Sequence, residues 1–114
     1  MTLIFKILPR SLWQDALDAG VFRGAPVDLS DGFIHFSTAE QVRETAAKHF
    51  AGQADLLLAA FEAGQLGDGL KWEPSRGGAL FPHLYGELAP DAALWVRDLP
   101  LAADGTHDFP ELGE

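Results

Sequence analysis

The stretch Asp31-Gly-Phe-Ile-His-Phe-Ser-Thr38, "DGFIHFST", decides how this chain is read. Asp31-Gly32 is a turn signal, Phe33–Phe36 has the alternation of a short strand, and Ser37-Thr-Ala-Glu40 has the spacing of a helix capping box. Turn, strand and helix start follow one another without a linker, which is an α+β pattern. Within the strand, Ile34 and Phe36 point one way and Phe33, His35 and Ser37 the other. His35 therefore stands at the end of a strand beside a helix N-terminus. Free N–H groups and a positive dipole there suit an anion.

Working outward, the helix after the box is expected over residues 38–50, with Val42, Ala46 and Phe50 along one stripe and Gly52 as a stop. Upstream, "TLIFKIL" (2–8) reads as a strand ended by Pro9. Ser11 is placed to cap a helix over 12–19, whose stripe is Leu12, Trp13, Ala16 and Leu17 and whose stop is Gly20. Residues 23–32, "RGAPVDLSDG", carry turn chemistry. Downstream, "DLLLAAF" (55–61), "LKWEP" (70–74), "HLYGEL" (83–88) and "ALWVRDL" (93–99) read as strands, and the acidic, Gly- and Pro-containing residues 101–114 as an irregular tail. The expected fold is a single α+β domain over 1–114, with a mostly antiparallel twisted sheet of about six strands and two helices.

Composition narrows the function classes. The chain has 114 residues, 47% of them hydrophobic, enough for a core without covalent staples. It has no cysteine, which excludes disulfide scaffolds, thiolate metal sites and cysteine nucleophiles. Seventeen acids against eight Lys and Arg give a net charge of −9, and no basic run relieves it, so nucleic acid is not an expected partner. No apolar run approaches the roughly 20 residues of a membrane helix. The expected location is cytoplasmic, with no membrane partner, and the oligomeric state is left open.

A second histidine stretch, Phe81-Pro-His-Leu-Tyr-Gly86, resembles the first. Strand alternation places His83 and Tyr85 on one face, where they can stack on a flat ring and bond to its edge. Lys71 and Glu73 share a face of "LKWEP", where a carboxylate in a cleft serves as a base or stabilises a cationic sugar. Ser37 has a capping role, whereas Thr38 offers a hydroxyl to a phosphate or sugar. Arg76, in "SRGG", is on a Gly-rich loop able to close over phosphate. His35, His83 and Glu73 are zinc-ligand types, yet no local ligand spacing supports a metal, and none is expected.

"GFIHFST", "KWE" and "FPHLYG" together resemble the signature of a bacterial family, the domain-of-unknown-function family 952, over nearly the whole chain. The resemblance implies a fold similar to the ADP-ribosyltransferase superfamily, which splits NAD at the nicotinamide–ribose bond. It thereby implies a small-molecule nucleotide as ligand, with NAD as a substrate and not as a tightly bound cofactor. His35 and Glu73 become the candidate catalytic residues. His83, Tyr85, Thr38, Ser37, Lys71 and Arg76 become candidate ligand contacts. The first strand departs from the superfamily in carrying Lys6 and no histidine or arginine. A non-catalytic sensing module and a structural or interaction protein remain alternatives.

Overall fold

The fold, described from a computed structural model over residues 1–113 with the side chain of Arg76 left aside, is α+β. The described residues form seven strands in two antiparallel sheets and three α-helices. The chain runs β1 (Leu3–Pro9), α1 (Arg10–Ala19), α2 (Pro26–Asp31), β2 (Ile34–His35), β3 (Ser37–Thr38), α3 (Val42–His49), β4 (Leu56–Glu62), β5 (Leu70–Pro74), β6 (Leu80–Leu84) and β7 (Trp95–Leu99). One sheet has the order β3-β1-β4-β7 and the other β2-β6-β5. No described helix is long and apolar enough to cross a membrane.

β1 and β4 are almost continuously apolar because both faces of their sheet are covered. Ile4, Leu8, Leu57, Ala59 and Phe61 pack on one face with Trp13 and Ala16 of α1, with Ile34 and Leu84 of the second sheet and with Phe36. Phe5, Ile7, Leu56, Leu58 and Ala60 pack on the other with Val42 and Ala46 of α3. The tail closes that second cluster through buried Leu112, beyond an isolated bridge between Leu101 and His107.

The single expected sheet is in fact two, and the division falls inside "FIHFST". His35 pairs with His83 in one sheet, and two residues later Ser37 pairs with Phe5 in the other. Phe36 makes the crossing, its N–H donating to the Pro82 carbonyl at 3.0 Å. This pairing displaces the capping box: Ser37 and Thr38 are strand residues, and α3 begins only at Val42. The Thr38 N–H is met by Gln41 Oε1 at 3.0 Å, and Ser37 Oγ bonds Thr45 Oγ1 at 2.8 Å. Pairing with β1 outweighed the local capping signal.

The turn-like segment 23–32 contains the third helix, α2. Pro26 opens it with a preset φ, and Asp28 Oδ2 accepts the Ala25 N–H at 2.8 Å, the acidic half of a cap. Gly32 ends it in the left-handed region at φ 89°. α1 starts at Arg10 behind Pro9 and takes no side-chain cap, so Ser11 does not have the expected role; Gly20 does stop it. Leu17, expected on the buried stripe, is exposed. The strand expected over 83–88 lies earlier, at Leu80–Leu84, because Gly86 adopts φ 138° and the chain turns away.

Candidate functional site

β3 covers only Ile4 and Phe5 on its side of β1. Beyond that point the β1 edge is open, and a cavity of about 490 Å³ fills the space between the two sheets and α3. That volume is within the range of roughly 300–1,000 Å³ usual for small-molecule sites. Lys6 and Ile7 come from β1, Val27 and Asp31 from α2, His35 from β2, Ser37 from β3, Thr45 and His49 from α3, and Phe81 and His83 from β6. Three of the chain's four histidines therefore line one cavity.

His35 and His83 are cross-strand partners, with ring centroids 5.5 Å apart in an edge arrangement. Phe33 stacks on His83 at 4.1 Å and also touches the rings of His35 (4.6 Å) and Tyr85 (5.3 Å). Phe33 and His35 share a face, as strand alternation predicts, and both histidine motifs meet on it, while Ser37 lines the same cavity from the other sheet.

Behind His35 is a charge network. Lys6 is buried and its Nζ donates to Asp28 Oδ1 (3.0 Å), Asp28 Oδ2 (2.9 Å) and the His35 carbonyl (2.9 Å). All three ammonium donors are thus engaged. Asp28, 1% exposed, also accepts the His35 N–H at 3.2 Å and faces His35 Nδ1 at 2.6 Å. His35 Nε2 faces Asp31 Oδ2 at 2.9 Å. An ionised carboxylate only accepts, so both ring contacts are hydrogen bonds at once only when the imidazole carries both protons. Gly24 is required for this packing: at φ 131°, a Cβ there would meet the Asp28 Cβ at 2.8 Å.

Burial works to raise the Asp28 carboxyl, but the His35 bond, the Lys6 charge, the Lys6 bond and the Ala25 N–H outweigh it and hold the group at about 2. Burial lowers the Lys6 ammonium, with the Asp28 charge and hydrogen bond acting against it. Lys6, a departure from the superfamily pattern in the sequence, is thus tied to the site.

Behind His83 the arrangement is simpler. Its Nδ1 is 2.8 Å from Glu73 Oε1, which also accepts from Tyr85 Oη at 2.8 Å. The bond from His83, then that from Tyr85, hold the Glu73 carboxyl below its ordinary value. The same bond to Glu73 raises the Tyr85 phenol. His83 Nε2 has no hydrogen bond among the described residues and is not sealed from the surface.

The candidate residues thus divide. His35, His83 and Ser37 line the cavity, and Glu73 and Tyr85 connect to it through His83. Lys71, on the Glu73 face of β5, is exposed and opposite His83 in register. Thr38 is beside Ile4 and does not line the cavity. The Arg76 side chain lies outside the described residues. Glu87, beyond the end of β6, pairs with Arg23 at 2.9 Å. Among the described residues no three His, Asp or Glu side chains are grouped to hold a metal.

Sequence reasoning passed over Lys6, Asp28, Asp31, Thr45 and His49. For Lys6 the signal was a lone cation within a strand buried on both faces. For Thr45 and His49 it was i,i+4 spacing on one face of a helix.

The model of a family described as "Protein of unknown function (DUF952)" matches residues 7–96. Three solved structures of protein CC0527 from Caulobacter crescentus are similar to the chain. One X-ray structure is 56% identical, covers 94% of each chain and superposes with a TM-score of 0.91. A V27M/L66M double mutant is 54% identical with the same coverage and TM-score. A solution NMR structure is 57% identical, with 93% of this chain and 91% of that one covered and a TM-score of 0.83. No curated protein matches the chain.

Proposed function

Because the chain belongs to the DUF952 family, whose description assigns no activity, we propose a function from the site itself: the cavity binds NAD or another ADP-ribose-containing nucleotide and acts on its glycosidic bond. The observation that carries this reading is the meeting of His35 and His83 on one cavity wall, each with carboxylate support. The ADP-ribosyltransferase-like relationship implied by the motifs belongs to the same reading. A cleft between two antiparallel sheets and a strand passing directly between them support it.

In this reading Ser37, Thr45 and His35 line the wall against which the ribose and phosphate lie. Phe81 and Phe36 provide apolar wall for a ring. Glu73, held ionised behind His83, lends negative charge to that wall as the bond breaks and the carbon becomes cationic. Lys71, Tyr85, Thr38 and Arg76 stay candidate contacts for parts of the ligand outside the cavity. The fold itself carries no function argument, since one fold hosts many activities.

Non-catalytic sensing of the same nucleotide is favoured by one feature. The most buried acid, Asp28, already accepts from Lys6, His35 and the Ala25 N–H, which is framework chemistry. A thermal-shift series with NAD, ADP-ribose and nicotinamide, followed by an assay for nicotinamide release, tests both. Stabilisation by ADP-ribose with turnover of NAD is the expected result. Stabilisation without turnover leaves the sensor, and no stabilisation by any nucleotide removes both.

A further inference from the structure

We propose that His83 is the general base of a hydrolysis at this cavity, with Glu73 as the residue that positions it. The inference rests on the nucleotide reading above and specifies the acceptor as water. Three observations carry it. The Glu73 carboxylate holds His83 Nδ1 at 2.8 Å, which fixes that nitrogen as the N–H and leaves Nε2 as the acceptor. His83 lines the cavity, and its Nε2 is unpaired among the described residues. Glu73 is itself held in place by Tyr85 Oη at 2.8 Å, so acid and ring form an ordered pair.

The same surroundings select the nucleophile. His83 is only 5% exposed, with Phe33 stacked on it at 4.1 Å and the His35 ring at 5.5 Å. With so little of the ring open, water is the acceptor we assign. His35, by contrast, has carboxylates facing both ring nitrogens, Asp28 at 2.6 Å and Asp31 at 2.9 Å, so it has no free acceptor with which to take a proton.

The step balances without a cofactor. A water oxygen forms a bond to the ribose anomeric carbon as the bond from that carbon to the pyridinium nitrogen breaks. The electron pair of the broken bond goes to the nitrogen, which leaves as neutral nicotinamide. The water proton passes to His83 Nε2, and the imidazolium so formed is stabilised by Glu73 until it loses the proton to solvent.

The test follows nicotinamide and ADP-ribose release from NAD by the full chain and by two variants, with ADP-ribose thermal shift as the check on folding and binding. H83A is expected to lower kcat by about 100-fold or more. Free imidazole should restore part of that loss, an outcome that a purely structural role would not produce. E73Q, which changes almost no volume, is expected to lower kcat about 10-fold or more with KM within about twofold, since only orientation and charge at His83 are altered. NAD cleavage that survives in H83A, or falls there without imidazole rescue, overturns the base assignment while the nucleotide reading stands. An ADP-ribose shift with no NAD cleavage overturns hydrolysis and keeps binding. Should H83A fail to fold, unchanged kcat in E73Q overturns the positioning role by itself. Absence of any nucleotide shift ends both inferences.

Discussion

The two cavity histidines share residue type, sheet and cavity wall, yet their surroundings differ. His35 is held from both sides by Asp28 and Asp31 and is backed by a buried lysine whose donors are all engaged. His83 is held from one side by a part-exposed glutamate and has a nitrogen to spare. Cross-strand partners can therefore differ in whether both ring nitrogens are tied in or one is left open, by what lies behind them. The distinction is one of satisfied valence, since a group with every bond made holds the structure and a group with one bond open can meet a ligand.

The comparison breaks most severely at Asp28. Asp28→Asn removes the counter-charge of buried Lys6 and is expected to cost about 3 kcal/mol or more, read from a denaturant midpoint. A cost below about 1 kcal/mol would show that the network is not structural. Acid titration gives the next largest effect. The Asp28 carboxyl is held at about 2 against an ordinary 3.8, so its folded state is favoured when ionised. That contribution, about 2 kcal/mol, is complete above the unfolded-state value and is lost as the pH falls from about 4 to about 2. Wild-type stability should fall across that window, and Asp28→Asn should remove much of the fall.

The His83 side should respond weakly in stability. Glu73→Gln is expected to leave the denaturant midpoint close to wild type, because the pair is part-exposed and screened. A loss as large as that of Asp28→Asn would erase the distinction between the two histidines. The smallest effect is expected from Tyr85→Phe. It removes one of the two bonds at Glu73 Oε1, so the Glu73 carboxyl should move back toward its ordinary value in a carbon-detected NMR titration. No movement would mean that His83 alone sets that group.

Which side chains share a face with each histidine was readable, because strand alternation has a period of two and needs no distant information. Phe33 with His35, and His83 with Tyr85, follow from it, whereas the pairing of the two histidine strands does not. The Lys6–Asp28 bond was not readable, because it joins residues 22 apart through packing that leaves no local periodicity. The capping box failed for a related reason. Ser37 through Glu40 satisfies the local rule, but β1 takes the backbone of Ser37 and Thr38 first. The short α2 was hidden among turn residues that also serve as helix punctuation, Pro26 at its start and Gly32 at its end.

Phe36, the single residue between the two sheets, has a mechanical consequence. Its ring is set against Phe61 in the core at 5.7 Å and its N–H is fastened to Pro82. A pivot fastened by both side chain and backbone works as a rivet and not as a hinge. A change at Phe36 is therefore felt in both sheets at once, since one residue ties the packing of the core to the pairing of the strand that carries His83.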